Sequence, residues 1–223
     1  MSRKKAELFV QQEELREIML EDVQDSVKHG ILVSRLAALT AKELHESEEF
    51  IQQVSLAGML HDIGKLRLSK YLYGRKKDVL GIEEIRYMRM HSTYSYEIAK
   101  EEDFSEEVQE MVYHHHENYD GSGYPDNLKG KDIPWGARVL RTCDVFAALV
   151  SKRPYRDAFD IDTAIELMID EIKNFDMEVF LAFQKVVNGD ERPLIEMLIE
   201  HNNRPEAYQK WMPMEELDRR YYY

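Results

Sequence analysis

The sequence has one cysteine, Cys143, among 223 residues. A single thiol builds no disulfide framework, so nothing here calls for an oxidising compartment. Long apolar runs are missing too, and none approaches the ~18 residues of a membrane span. The first residues open on a basic cluster and turn charged again where a signal peptide would be apolar. The expectation is a cytoplasmic protein without membrane association. Basic residues are outnumbered, 30 Lys and Arg against 43 Asp and Glu, for a net charge of −13. Short clusters such as Arg75-Lys76-Lys77 do not offset that balance, and an acidic chain gains little from counterion release on nucleic acid. A phosphate-bearing substrate would need positive charge supplied locally, by metals or by a few placed basic residues. Glycine and proline are few, 10 and 6, and they cluster between Gly121 and Pro134.

What is present is an ordinary globular balance, 43% hydrophobic and 33% charged. The apolar residues recur with helical period. Phe50, Ile51, Val54, Ala57 and Gly58 fall on one helix face ahead of His61. Ile82, Ile85, Tyr87 and Met88 do the same ahead of His91. A third stretch runs through Ile161, Ile165, Met168, Ile169 and Ile172, with Asp160 or Asp162 as its N-cap. No strand alternation is evident. The expected fold is all-α, a bundle of about eight to ten helices packed through amphipathic faces. Residues 1–20 read as an N-terminal helical segment, 21–190 as the catalytic domain and 191–223 as a C-terminal helical tail.

Eight histidines stand in the chain, and any one alone would be an unremarked surface or core residue. Their company is what matters. His61-Asp62 ends an apolar helix, where polar side chains need a partner. His114-His115-His116 ends another amphipathic stretch, just before the glycine-rich loop. Asp144 is embedded in Val139, Leu140, Val145, Phe146, Ala147 and Leu149, and a buried carboxylate needs a cation. Imidazole and carboxylate donors without thiolate suit Fe, Mn, Zn and related divalent ions. A carboxylate such as Asp62 has two oxygens and can bridge two ions, which together activate a hydroxide for attack at phosphorus. Lys65 follows one turn after His61 and could meet a phosphate oxygen.

Four segments now stand in order: HDIGK (His61–Lys65), His91 in MRMHSTYSYEI, HHENYDGSGYP (His115–Pro125) and CDVFAALVSKRPYR (Cys143–Arg156). Together they resemble the HD-GYP family of HD-superfamily phosphohydrolases, over about Asp22 to Asn174. The resemblance implies an all-α HD-domain bundle, a centre of two divalent ions (Fe or Mn) and hydrolysis of cyclic di-GMP to pGpG and GMP through a metal-bridging hydroxide. It implies metal ligands at His29, His61, Asp62, His91, His115, His116 and Asp144, with Asp62 and Lys65 in catalysis. Asp25, four residues before His29, stands where some members carry a glutamate for a third ion. His114 is left out, because consecutive helical residues diverge by about 100°; His45 and His201 read as surface residues.

By the same resemblance the DGSGYP loop walls the active site and offers a surface to a signalling partner protein. Gly123, Tyr124 and Pro125 then join Lys65, Arg153 and Arg156 as substrate contacts. Read without the resemblance, the loop is a tight turn and the arginines are a helix-end pair facing its dipole. Ser92 and Ser95 replace the Pro and Gly common after the third histidine, and Cys143 replaces a small Ala. Two other functions stay open: hydrolysis of another cyclic dinucleotide or nucleotide phosphate, and a catalytically silent dinucleotide-binding module.

Overall fold

The computed structural model describes residues 25–72, 82–153 and 156–204. The N-terminal segment 1–20, the Arg75-Lys76-Lys77 cluster, Pro154-Tyr155 and the tail beyond residue 204 lie outside them. The described chain is helical: α1 (25–43), α2 (Glu48–Leu60), α3 (Lys65–Leu72), α4 (Ile82–Arg89), α5 (His91–Glu101), α6 (Glu106–Tyr113), α7 (Trp135–Val150), α8 (Ile161–Asp170), α9 (Met177–Asn188) and α10 (Arg192–Asn203). Among the described residues the one extended pairing is an isolated bridge between Arg153 and Arg156.

Local sequence sets the helix starts. Ser47 caps α2 by accepting from Phe50 N, Ser105 caps α6 by accepting from Val108 N, and Asp160 caps α8 by accepting from Thr163 N. Of the two candidate caps for α8, Asp160 is therefore the one used. The α-helix stops at Asp170, and Ile172 begins a short 3₁₀ turn instead. Ile161, Ile165 and Met168 are buried as their spacing implies, but Ile169 is 47% exposed because it lies about 100° round from Met168.

Helix α7 is the axis of the bundle, with ten of its sixteen residues buried. It packs against α2, α6, α8 and α9, and the Phe146 ring meets Phe183 of α9 edge-on at 5.0 Å. Helix α10 lies on α9 through the fully buried Ile195. Asn203 ties its far end to the end of α7, donating to Val150 O and accepting from Lys152 N. The beginning of the C-terminal tail is thus packed on the bundle.

Helices α1 and α2 cross unusually closely. A Cβ on Gly58 would stand 2.9 Å from Ser34 Cα and 3.0 Å from Ser34 N, both backbone atoms that cannot rotate away. This approach brings the His29 and His61 rings to 5.3 Å between centroids. Gly58→Val should therefore force the helices apart, costing about 1–3 kcal/mol from overpacking. Thermal unfolding reads that loss, and metal analysis of the folded fraction should show a lower metal content. A variant with unchanged Tm and metal content would mean the crossing tolerates a side chain.

Candidate metal centre

Five of the seven polar residues of the site lie at or just beyond helix ends, whereas His29 lies within α1 and Asp144 within α7. His61 is the C-cap of α2, His91 opens α5 two residues after α4 ends, and His115 stands two residues beyond α6. The last carbonyls of a helix lack intrahelical partners. Each histidine donates its Nδ1–H to one of them: His61 to Gly58 O at 2.7 Å, His91 to Met88 O at 2.6 Å and His115 to Val112 O at 2.6 Å. A carbonyl only accepts, so these bonds hold a proton on Nδ1 and turn Nε2 inward, the nitrogen left to ligate a cation. The sequence spacing does not reveal this arrangement.

The inward nitrogens collect around Asp62. One group joins Asp62, His91, His115 and His116, and a second joins His29, His61 and Asp144; in each, one donor atom per residue lies within 4.8 Å of the others. Asp62 spans both groups, with Oδ1 3.2 Å from His91 Nε2 and Oδ2 3.4 Å from His61 Nε2. In the second group, Asp144 Oδ1 lies 2.9 Å from His29 Nε2 and 3.5 Å from His61 Nε2. All seven ligand positions expected from the sequence are brought together. Asp25 is not. Its carboxylate is 67% exposed, 3.9 Å from Lys28 Nζ, and belongs to neither group.

Electrostatics show what the site requires. His91 Nε2 is 3.3 Å from His115 Nε2 and 3.0 Å from His116 Nε2. Burial holds His91 below the usual histidine range, and His115 and His116 well below it, so lone pairs face one another. Burial would lower His61 too, yet Asp62 and Asp144 push it up to about 10. Burial would raise both carboxyls; Lys65 and His61 hold Asp62, and His29 and His61 hold Asp144, well below the usual carboxylate range. Within the two groups, the buried His61 Nε2 and Asp62 Oδ1 have no hydrogen-bond partner among the described residues. Converging lone pairs, ionised buried carboxylates and orphaned donors are resolved together by cations at the two groups. The donor set fits divalent metal.

Around this centre, Lys65 opens α3 and donates from Nζ to Asp62 Oδ2 at 2.5 Å, with 30% of its side chain exposed. Ser95 accepts from Gly64 N at 2.8 Å, fastening the HDIGK turn to α5. The glycine-rich loop packs against the second histidine pair. Its Tyr124 ring lies 4.8 Å from His116, and the Arg89 guanidinium stands over that ring, 5.1 Å from its centroid. Gly123 is required there, since a Cβ would meet Asn118 N at 2.2 Å and His116 O at 2.5 Å. Pro125 follows through a cis peptide. Burial raises the Tyr124 hydroxyl above its ordinary value, Asp144 adding to the effect.

His114 points away from both groups. It is buried, 3.3 Å from Glu110 and 3.7 Å from the fully buried Glu117, whose Oε1 accepts from Asp126 N at 2.7 Å and so anchors the loop. His115 and His116 converge, with ring centroids 4.0 Å apart, because the chain has left the helix and is turning. His45 and His201 are exposed. The two arginines differ. Arg156 donates to Ala148 O, Leu149 O and Asp157 O at 2.9 to 3.0 Å, closing the carbonyl end of α7. Arg153 pairs with it only through the backbone. Arg141 was not singled out from the sequence; its position three residues before Asp144 on one helix face was the available signal.

A helical bundle that gathers two His/Asp groups around a shared aspartate, from helix ends and from the interiors of α1 and α7, defines a class of helical proteins able to hold metal. The chain belongs to the HD domain family, whose model matches residues 9–179, and the resemblance to HD-GYP proteins read from its motifs is borne out. It is 38% identical over 135 residues to the cyclic di-GMP phosphodiesterase response regulator RpfG of Xanthomonas campestris, covering 60% of this chain and 35% of that one. It is 34% identical over 161 residues to the 3'3'-cGAMP-specific phosphodiesterase 3 of Vibrio cholerae, covering 72% of this chain and 35% of that one. The chain thus spans little more than a third of either relative. The fold resembles that of an HDG"Y"P protein from Bdellovibrio bacteriovorus, at TM-score 0.60 and 20% identity, over 74% of this chain and 53% of that one. Among the described residues no helix is long and apolar enough to cross a membrane.

Proposed function

We propose that this chain is a metal-dependent phosphodiesterase that hydrolyses cyclic di-GMP to pGpG and then GMP. The observation that carries this reading is the pair of His/Asp groups sharing Asp62, beside Lys65 and under Tyr124. His91, His115, His116 and Asp62 would hold one divalent ion, Fe or Mn, and His29, His61, Asp144 and Asp62 a second. Bound there, such ions supply Lewis-acid activation of water and neutralise charge on the phosphoryl oxygens. The protein's own part is preorganisation. The Nδ1–H bonds to helix-end carbonyls keep three imidazoles in the right tautomer without reorganisation. Lys65 donates to Asp62 Oδ2, the oxygen turned toward His61, and keeps its ammonium partly exposed, beside the place where negative charge develops and the 3′ oxygen leaves.

Seven ligands in two groups support two ions; a third would need Asp25 to leave Lys28 and turn inward. Tyr124 and the glycine that lets it approach give the substrate a planar surface against which a base can stack. Ser122, Asp126 and Asn127 on the outer side of the loop are exposed, which leaves it accessible to a signalling partner.

Relatives named for cyclic di-GMP and for 3'3'-cGAMP lie at similar identity, so the substrate is the finer part of this reading. The test is anaerobic purification, metal analysis and a hydrolysis assay over both cyclic dinucleotides. Cyclic di-GMP should be turned over faster, with pGpG appearing before GMP. Faster turnover of 3'3'-cGAMP would reassign the substrate. Tight binding with full metal and no product would make the chain a binding module. Metal-loaded protein that leaves both intact, indistinguishable from His61→Ala, would end the phosphodiesterase reading.

A further inference from the structure

The acidic balance of the chain raised the question of which basic side chains would meet a phosphate. Lys65 stands at one side of the centre, against Asp62. The Arg156 guanidinium is committed to three carbonyls and lies over the Phe159 ring at 4.5 Å. A third basic residue, Arg141, stands one turn before Asp144 on the same face of α7.

Arg141 is held in one orientation. Its Nε donates to Asn118 Oδ1 at 2.9 Å, and Asn118 in turn donates from Nδ2 to Ser122 Oγ at 2.9 Å. Asn118 follows His116 by two residues, and the Tyr124 ring rests on His116, so α7, the second histidine pair and the loop meet at this guanidinium. With Nε occupied, the two terminal nitrogens have no hydrogen-bond partner among the described residues. Burial lowers the Arg141 pKa, with Asp144 and Tyr124 acting against it, which places the charge among the residues of the centre.

We infer that Arg141 is the phosphate-binding arginine of this site, its free terminal N–H donors offered to a phosphodiester bound beside the metal groups. A guanidinium fork matches two phosphoryl oxygens at once, and the Asn118 bond removes the rotational freedom that such a grip would otherwise have to freeze. This rests on the phosphodiesterase reading above. The rival role is purely structural, a pin holding the loop to α7.

The experiment compares metal-loaded wild type, Arg141→Ala and Arg141→Lys on a cyclic dinucleotide and on bis(4-nitrophenyl) phosphate, which has the phosphodiester but no purine. Metal content and Tm are measured alongside. Losing a charge-assisted phosphate contact should raise KM for both substrates about 10- to 100-fold in Arg141→Ala, at unchanged metal content. Arg141→Lys, which keeps the charge and loses the fork, should recover part of it. An unchanged KM overturns the assignment, and so does a rise confined to the cyclic dinucleotide, which would mean a contact to the base. If Arg141→Ala does not fold, Arg141→Lys decides: a raised KM at full metal supports the role, an unchanged one overturns it. Wild type that cleaves the simple diester but no cyclic dinucleotide would end the cyclic di-GMP reading, while the variants still decide Arg141 on the simple diester.

Discussion

Asp62→Asn should abolish turnover while leaving the helical fold in place. Asp62 offers an oxygen to each His/Asp group, Oδ1 toward His91 and Oδ2 toward His61. An amide keeps the shape but loses the negative charge, and its nitrogen cannot ligate a cation. Both groups would weaken together. Residues that only orient a metal ligand cost about 10- to 100-fold when removed, so loss of the shared ligand should exceed about 100-fold in kcat/KM. Metal per chain should fall in parallel. The same change also frees Lys65 from its anionic partner, so Lys65→Met separates the two causes. It should slow turnover with metal content retained. An Asp62→Asn protein that keeps two ions and near-normal kcat/KM would show that Asp62 does not bridge.

The second large effect concerns stability, and it needs no assay of turnover. Without metal, the site keeps two carboxylates ionised and several imidazole lone pairs facing one another in a buried volume. The unfolded chain has no such assembled site, so a divalent ion binds the folded state preferentially and stabilises it. At a hundred times Kd the gain is about 2.7 kcal/mol, which for a chain of this size raises Tm by roughly 5–10 °C. Chelation should therefore lower Tm by that amount and re-addition of Mn or Fe(II) restore it. His91→Ala and His29→Ala, one from each group, should each shrink the shift. A Tm indifferent to chelator and metal would mean that these residues do not form a metal centre.

Much of this was legible in the sequence because helices have a short, regular period. The face formed by Val54, Ala57 and Gly58 is buried as its spacing implies, and Asp160 caps α8 from a position a sequence can flag. The ligand set was legible for another reason: buried His and Asp among apolar residues are costly enough that their grouping carries information. Period alone failed at Ile169, which is exposed, and at His115 and His116, which converge only because α6 ends at Tyr113. The possible roles of Arg156 and Arg141 could not be ranked either. Both are arginines near Asp144, and only the carbonyl end of α7 and the loop at Asn118 distinguish them.

The sequence by itself determined the all-helical architecture, the family and the seven residues of the two His/Asp groups, since each follows from local periodicity or from residue type in a short motif. Only the tertiary structure decided that Asp62 faces both groups, that helix-end carbonyls set the histidine tautomers, that Asp25 faces solvent and that Arg141 keeps free donors. Those facts depend on where helix ends meet across α1, α2, α6 and α7. A meeting of chain segments far apart in sequence is set by the packing of whole faces, which no local spacing encodes.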